Sequence, residues 1–147
     1  CIATAVDFRV GARNCFMSYP EILLGVNLMW QSLPLCVQLV GPARAKRLVI
    51  SGEHVHAPTL YEWGMLDEIV DVGDVMEKAV EWARLYASRA PIPAQMIKRS
   101  VNAISSALDR SIMHMDFDQN LITAATEDAS AAAQAYRDNA EPIYKGN

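Results

Sequence analysis

The chain has 147 residues, of which 52% are hydrophobic and 20% charged, and it carries a formal net charge of −4. This composition is typical of a globular chain that can bury a core. The acidic charge is scattered, and no basic stripe with interleaved aromatic residues is present, which argues against a nucleic-acid partner. No apolar run is long enough to span a bilayer, which argues against a membrane partner.

The cysteines are three in number and widely spaced, at Cys1, Cys15 and Cys36. An odd, scattered set of this kind predicts free thiols in a reducing compartment rather than a disulfide framework. Residues 1–4 also lack the basic flank of a signal peptide. We therefore expect a cytoplasmic location.

The first part of the chain has the pattern of an α/β fold. Short strands are predicted over residues 7–11, 15–17 and 65–70, with Asp7 at a strand start. Ser32 is placed to cap a helix that ends at Gly41, and a second helix is predicted from Pro42 to just before Ser51. A further short helix is predicted over residues 58–64.

The second part of the chain is predicted to be helical. Asp74 is placed to cap a long helix that the prolines at 91 and 93 interrupt, and Asp128 is placed to cap the last helix. Between them, apolar residues recur at helical spacing, which is typical of a core or a subunit interface. These residues form two stripes: Met96, Ile97, Val101, Ile104 and Leu108, and then Ile112, Met115, Leu121, Ile122 and Ala125.

Glu21 is the best candidate for chemistry in the chain. It stands after Pro20 and before an aliphatic run that ends at Gly25. Apolar surroundings destabilise the charged form of a carboxyl group, which suits it to moving protons near neutral pH. The alternative is that Glu21 only caps a short segment and points to water.

Several segments together resemble the enoyl-CoA hydratase/isomerase (crotonase) superfamily, in that family's order: 5–10, 16–25, 38–41, 48–53, Ala57, Gly64, 67–70 and the tail segments 135–137 and 141–146. The resemblance implies the C-terminal portion of a crotonase-like α/β spiral fold. Residues 1–90 would belong to the α/β core, and residues 91–147 would form a helical region that makes trimers. A homotrimer or hexamer is therefore expected.

The same resemblance implies an acyl-CoA substrate. In that family two backbone N–H groups hold the thioester carbonyl and stabilise the enolate-like oxyanion, while a carboxylate transfers the proton. By the resemblance, Glu21 is the general acid/base, and coenzyme A enters only as part of the substrate, with no other cofactor. Both N–H donors would lie outside this chain, one in a turn before Cys1 and one in a missing N-terminal portion of the same protein, which we expect as a partner.

The candidate substrate-binding residues are Cys1, Gly25, Met29, Trp30 and Tyr136. By gapless counting, Cys1 stands where hydratases of the family usually have a second glutamate. Met29 and Trp30 stand in a turn that is commonly rich in proline and glycine. Tyr136 matches an aromatic residue that often contacts the adenine end of coenzyme A, although Asn139 stands where a lysine is expected.

With a single acid, moving a double bond is easier than adding water. The resemblance therefore favours an isomerase or a divergent lyase over a standard hydratase. The alternative is a catalytically degenerate oligomeric scaffold, in which Met29 and Trp30 fill the former site. No metal site is predicted, because His54 and His56 have no third ligand at a suitable spacing.

Overall fold

The computed structural model describes residues 1–147, apart from the side chain of Arg110. The first part of the chain contains short strands, short helices and one long kinked helix. Its elements are α1 (Ile2–Ala5), β1 (Val10–Ala12), β2 (Phe16–Met17), a 3-10 helix (Pro20–Leu24), α2 (Leu33–Ser51), β3 (Val55–His56), α3 (Ala57–Glu62) and β4 (Glu68–Val70). The second part contains α4 (Val75–Ala87), α5 (Pro91–Ser105), α6 (Asp109–Ala124) and α7 (Glu127–Asp138).

The strands form two small two-stranded sheets. β1 pairs in parallel with β4, with Gly11 opposite Ile69, and β2 pairs antiparallel with β3, with Phe16 opposite His56. A Cβ at Gly11 would come within 2.6 Å of the Leu66 Cδ1 atom, so a larger residue here would require the Leu66 side chain to shift.

The predicted strand over residues 7–11 was wrong at its start, and Asp7 lies outside β1. The backbone N–H of Arg9 donates to the Asp67 carboxylate at 2.7 Å instead of joining a strand ladder. The Arg9 side chain is buried, and it donates to the carbonyl oxygens of Met65 at 2.7 Å and Val6 at 2.6 Å. Arg9 thereby ties the end of α1 to the turn before β4.

The hydrophobic core lies around α2. The predicted break in this helix is confirmed, since Gly41 has non-helical backbone angles (φ 78°, ψ 164°) and Pro42 follows it. The core is formed mainly by α2, α3 and the segments beside them. Its most deeply buried side chains are Leu28, Cys36, Leu48, Leu60 and Met65.

The helix starts lie near the predicted positions, but their capping differs. Neither the Ser32 nor the Asp74 side chain makes a cap hydrogen bond. The prediction that Asp128 caps α7 was wrong, because the Thr126 hydroxyl accepts the Ala129 N–H at 3.1 Å. The Asp128 carboxylate instead accepts two backbone N–H groups of the C-terminal tail, at residues 145 and 146.

The C-terminal helices expose the apolar stripes that the sequence predicts. No residue of α5 is buried, and Ile92 and Ile104 are 71% and 79% exposed. In the described part of α6 the buried residues are Asp109 and Asp116, whereas Leu121 and Ile122 are exposed. These stripes are therefore not part of this chain's own core. Among the described residues, no helix combines the length and hydropathy that crossing a membrane requires.

Candidate active site

Glu21 lies in the 3-10 helix Pro20–Leu24, which packs between α2 and α7. Pro20 suits the first turn of this helix because its fixed φ is helical and its missing N–H needs no partner there. Gly25 ends the helix with a left-handed backbone (φ 70°, ψ 17°). Its N–H donates to the Ile22 carbonyl oxygen at 3.1 Å, and the next N–H, of Val26, donates to that of Glu21 at 3.2 Å.

The Glu21 side chain is half-buried, and its Oε2 atom is buried without a hydrogen-bond partner among the described residues. Buried carboxylate oxygens are normally satisfied, so an unpartnered one calls for an explanation. Three other carboxylates in the chain accept backbone N–H groups. Asp67 accepts from Arg9, Asp116 from Leu33, and Asp128 from the tail.

Two other titratable groups close to this segment are unsuited to act as bases. Burial raises the pKa of Tyr19 to about 12, so its hydroxyl remains protonated at neutral pH. Burial also raises the pKa of the Cys36 thiol, which is fully inaccessible to solvent. Neither Tyr19 nor Cys36 is therefore a candidate for proton transfer at neutral pH.

The turn between Gly25 and α2 carries three side chains that are open to solvent. Met29 is 40% exposed and Trp30 is 67% exposed. Gln31 adopts a left-handed backbone (φ 56°), which is unusual for a residue other than glycine. Within this chain, Met29 and Trp30 therefore do not fill a cavity.

The structure does not bring the predicted substrate-binding residues into one pocket. Gly25 lines an open cavity of about 600 Å³ between the 3-10 helix, α6, α7 and the tail. Tyr136 lines a separate depression of about 400 Å³ beside Leu23. Glu21, Met29 and Trp30 line neither of them.

Cys1 is exposed and lies beside the first turn of α2. Its Sγ donates to the Ser32 hydroxyl at 3.2 Å. The described residues contain no cluster of three potential metal ligands. The rings of His54 and Phe16 stack with centroids 4.1 Å apart, so this histidine packs against an aromatic ring.

The comparisons with known proteins agree with one another. The family model for enoyl-CoA hydratase/isomerase matches residues 1–147. The chain belongs to the enoyl-CoA hydratase/isomerase family. It is 26% identical over 155 residues to the carnitinyl-CoA dehydratase of Salmonella heidelberg, covering 99% of this chain and 57% of that protein. The chain thus spans little more than half the length of the curated relatives it matches.

Solved structures share the fold. An enoyl-CoA hydratase/isomerase from Pseudoalteromonas atlantica superposes with a TM-score of 0.89 at 17% identity, covering 98% of this chain and 58% of that one. A carnitinyl-CoA hydratase from Mycobacterium avium gives a TM-score of 0.87 at 24% identity, covering 99% and 57%. The α/β fold predicted for this family member is confirmed by these structures.

Sequence reasoning missed two residues that shape the site of this enoyl-CoA hydratase/isomerase family member. Asn27 is hydrogen-bonded to α6, and Asp116 of α6 is 3% exposed and accepts the N–H of Leu33 at 3.4 Å. Burial raises the pKa of the Asp116 carboxyl. The helical spacing of polar residues in α6 is the sequence signal that points to Asp116, whereas the contact of Asn27 with Thr123 spans 96 positions and has no local signal.

Proposed function

We propose that Glu21 transfers a proton to and from an acyl-CoA thioester, in an enzyme to which this chain contributes the general acid/base. The observation that carries this proposal is the buried Oε2 atom of Glu21, which has no hydrogen-bond partner among the described residues. A general base needs a lone pair that is free to receive the substrate proton. Family membership supports the thioester as the substrate class.

The electrophilic half of the reaction lies outside residues 1–147 in this proposal. Two backbone N–H groups would hold the thioester oxygen while Glu21 removes a proton from the adjacent carbon, so that the developing negative charge is stabilised on oxygen. We therefore expect turnover only when an N-terminal portion of the same protein supplies these donors.

Cys1 decides which reaction of the family we favour. Its thiol donates to Ser32, and it stands where a second acid would be needed to handle water. With Glu21 alone, the proton removed from one carbon of the enolised thioester is returned to another, and the double bond moves. We therefore favour isomerisation or a lyase reaction over simple hydration. The carnitinyl-CoA dehydratase relatives are named for the removal of water, which is hydration in reverse, so their name favours water chemistry over movement of a double bond.

Product analysis separates these reactions. The enzyme in its natural length is supplied with 3-enoyl-CoA and 2-enoyl-CoA separately, and products are followed by mass spectrometry. Bond migration in the 3-enoyl ester is expected to be the faster reaction. Faster addition of water to the 2-enoyl ester would refute the preference for isomerisation.

The alternative is an oligomeric scaffold without catalysis. The exposed faces of α5 and α6 favour an assembly role, and we propose that the region 91–147 contacts other copies in a trimer or hexamer. However, the exposure of Met29 and Trp30 argues against a site filled by this chain's own side chains. Thermal-shift measurements with CoA thioesters discriminate the two functions, since a scaffold would gain no stability from them.

A further inference from the structure

Asn27 is held by α6 through its backbone N–H, its backbone carbonyl and its side-chain amide nitrogen. Its backbone N–H donates to the Thr123 hydroxyl at 3.0 Å, and its side-chain Nδ2 donates to Oε1 of Gln119 at 2.7 Å. Its carbonyl oxygen accepts from Nδ2 of Asn120 at 2.5 Å. Asn27 lies two residues after Gly25, at the end of the segment that carries Glu21.

The residues of α6 that hold this turn lie on one face of the helix. Side chains three, four and seven positions apart face the same way on an α-helix. Residues 116, 119, 120 and 123 have this spacing, and Asp116 accepts the N–H of Leu33 at the far end of the same turn. The turn from 27 to 33 is therefore fixed to α6 at both ends.

The other side of the Glu21 segment is held by α7. A Cβ at Gly25 would lie 2.9 Å from the Cα atom of Ala129, so the two backbones are already in close contact. The 3-10 helix thus has its C-terminal end placed between two helices that follow it by about a hundred residues in the chain.

A carboxylate oxygen without a hydrogen-bond partner is not oriented by contacts of its own. Its position depends on the backbone that carries it, and a displacement of about 1 Å at a reacting group can cost a factor on the order of a hundred in rate. We infer that Asn27 is a positioning residue, through which α6 fixes the placement of the Glu21 carboxylate. This inference rests on the proposed function of Glu21.

The residue type fits this role. The Asn27 side-chain amide supplies a donor to Gln119 while its own backbone serves Thr123 and Asn120. In Asn27→Ala the Gln119 contact is lost. In Thr123→Val the hydroxyl that accepts the Asn27 N–H is lost at nearly unchanged shape. Asn27→Asp is the conservative variant, since a flipped Gln119 amide can donate to the new carboxylate.

The experiment uses the enzyme in its natural length and two readouts. Hydrogen exchange is measured by mass spectrometry in peptides covering residues 20–28, and kcat and KM are measured with the enoyl-CoA ester that the wild type converts. Asn14→Ala is the matched control, because Asn14 is an exposed turn residue outside the 3-10 helix, α6 and α7. Circular dichroism verifies that each variant is folded.

For Asn27→Ala and Thr123→Val we expect exchange over residues 20–28 to rise about tenfold, with kcat lowered about tenfold and KM changed less than about twofold. Asn27→Asp should return both the exchange rate and kcat most of the way to their wild-type values, and Asn14→Ala should match the wild type. Unchanged exchange over residues 20–28, or raised exchange with an unchanged kcat, would overturn the inference. If the wild-type enzyme showed no turnover, both the proposed function and the inferred effect of Asn27 on catalysis would be refuted. Hydrogen exchange would still report whether α6 holds residues 20–28.

Discussion

Gly25 offers a direct test of how tightly the Glu21 segment packs on α7. In Gly25→Ala the new Cβ would lie 2.9 Å from the Cα atom of Ala129 and 2.9 Å from the carbonyl oxygen of Asp128. Both neighbours are backbone atoms, so the clash cannot be relieved by a side-chain rotation. Gly25 also has φ +70°, where an L-residue is strained.

The expected cost follows from these two terms. Left-handed backbone costs about 1–2 kcal/mol for a residue with a Cβ, and an overpacked contact costs about 1–3 kcal/mol. Alanine also lowers the conformational entropy of the unfolded chain, which stabilises the folded state by about 0.5 kcal/mol. Gly25→Ala should therefore lower the free energy of unfolding by about 1.5–4.5 kcal/mol.

Two other glycines supply matched controls. Gly64 has φ +81°, and its added Cβ would meet only the Leu39 carbonyl oxygen at an ordinary 3.5 Å, so Gly64→Ala should show mainly the backbone cost, about 1 kcal/mol. Gly73 has neither restriction, so Gly73→Ala should be neutral or slightly stabilising. Urea denaturation followed by circular dichroism measures all three. If Gly25→Ala cost no more than Gly64→Ala, the close approach to α7 would be refuted.

Three further predictions concern stability. Arg9→Met removes a buried guanidinium that pairs with Asp67 at 3.5 Å. We expect urea denaturation to show that the free energy of unfolding falls by about 3 kcal/mol. A fall below about 1 kcal/mol would contradict the role of Arg9 in joining α1 to β4. Burial raises the pKa of the Asp116 carboxyl above its ordinary value of 3.8, so the folded state binds this proton more tightly than the unfolded chain. As the pH rises from 3.8 through the raised pKa of the folded state, the contribution of Asp116 to the free energy of unfolding therefore falls. Asp116→Asn should therefore gain stability relative to the wild type from about pH 4 upward, and a pH-independent difference would count against a desolvated carboxylate. Gln31→Gly relieves φ +56° and should raise the free energy of unfolding by about 1 kcal/mol, and a destabilised variant would be inconsistent with that strain.

Local chemistry made several features predictable from the sequence. Proline fixes its own φ and lacks an N–H, so the kink at Gly41 and Pro42 and the start of α5 at Pro91 follow from short-range rules. The family resemblance rested on motifs with the same local character. It was sufficient to predict the fold family that the solved structures share.

Features that depend on distant partners were not predictable. Helical periodicity identified the apolar stripe of α6, but it does not say which partner covers a stripe, and this chain buries Asp116 on the polar face instead. The contact between Asn27 and Thr123 joins residues 96 positions apart. The cap of α2 likewise comes from Asp116 rather than from the adjacent Ser32.

The predicted start of the first strand, at Asp7, was wrong for a related reason. The residues at 7–9 have strand-like character, but the backbone N–H of Arg9 is taken by the carboxylate of Asp67, 58 positions later. A side chain that captures a backbone donor ends a strand at a point that the residue pattern does not reveal.

The central claim is that Glu21 moves the proton. Its most direct test is the turnover of Glu21→Gln in the enzyme of natural length, with Glu62→Gln, an exposed residue of α3, as the control. We expect Glu21→Gln to lower kcat by a factor on the order of a hundred to ten thousand, with folding and thioester binding nearly unchanged, and Glu62→Gln to match the wild type. Turnover of Glu21→Gln within about twofold of the wild type would contradict the claim and place the chemistry on another group.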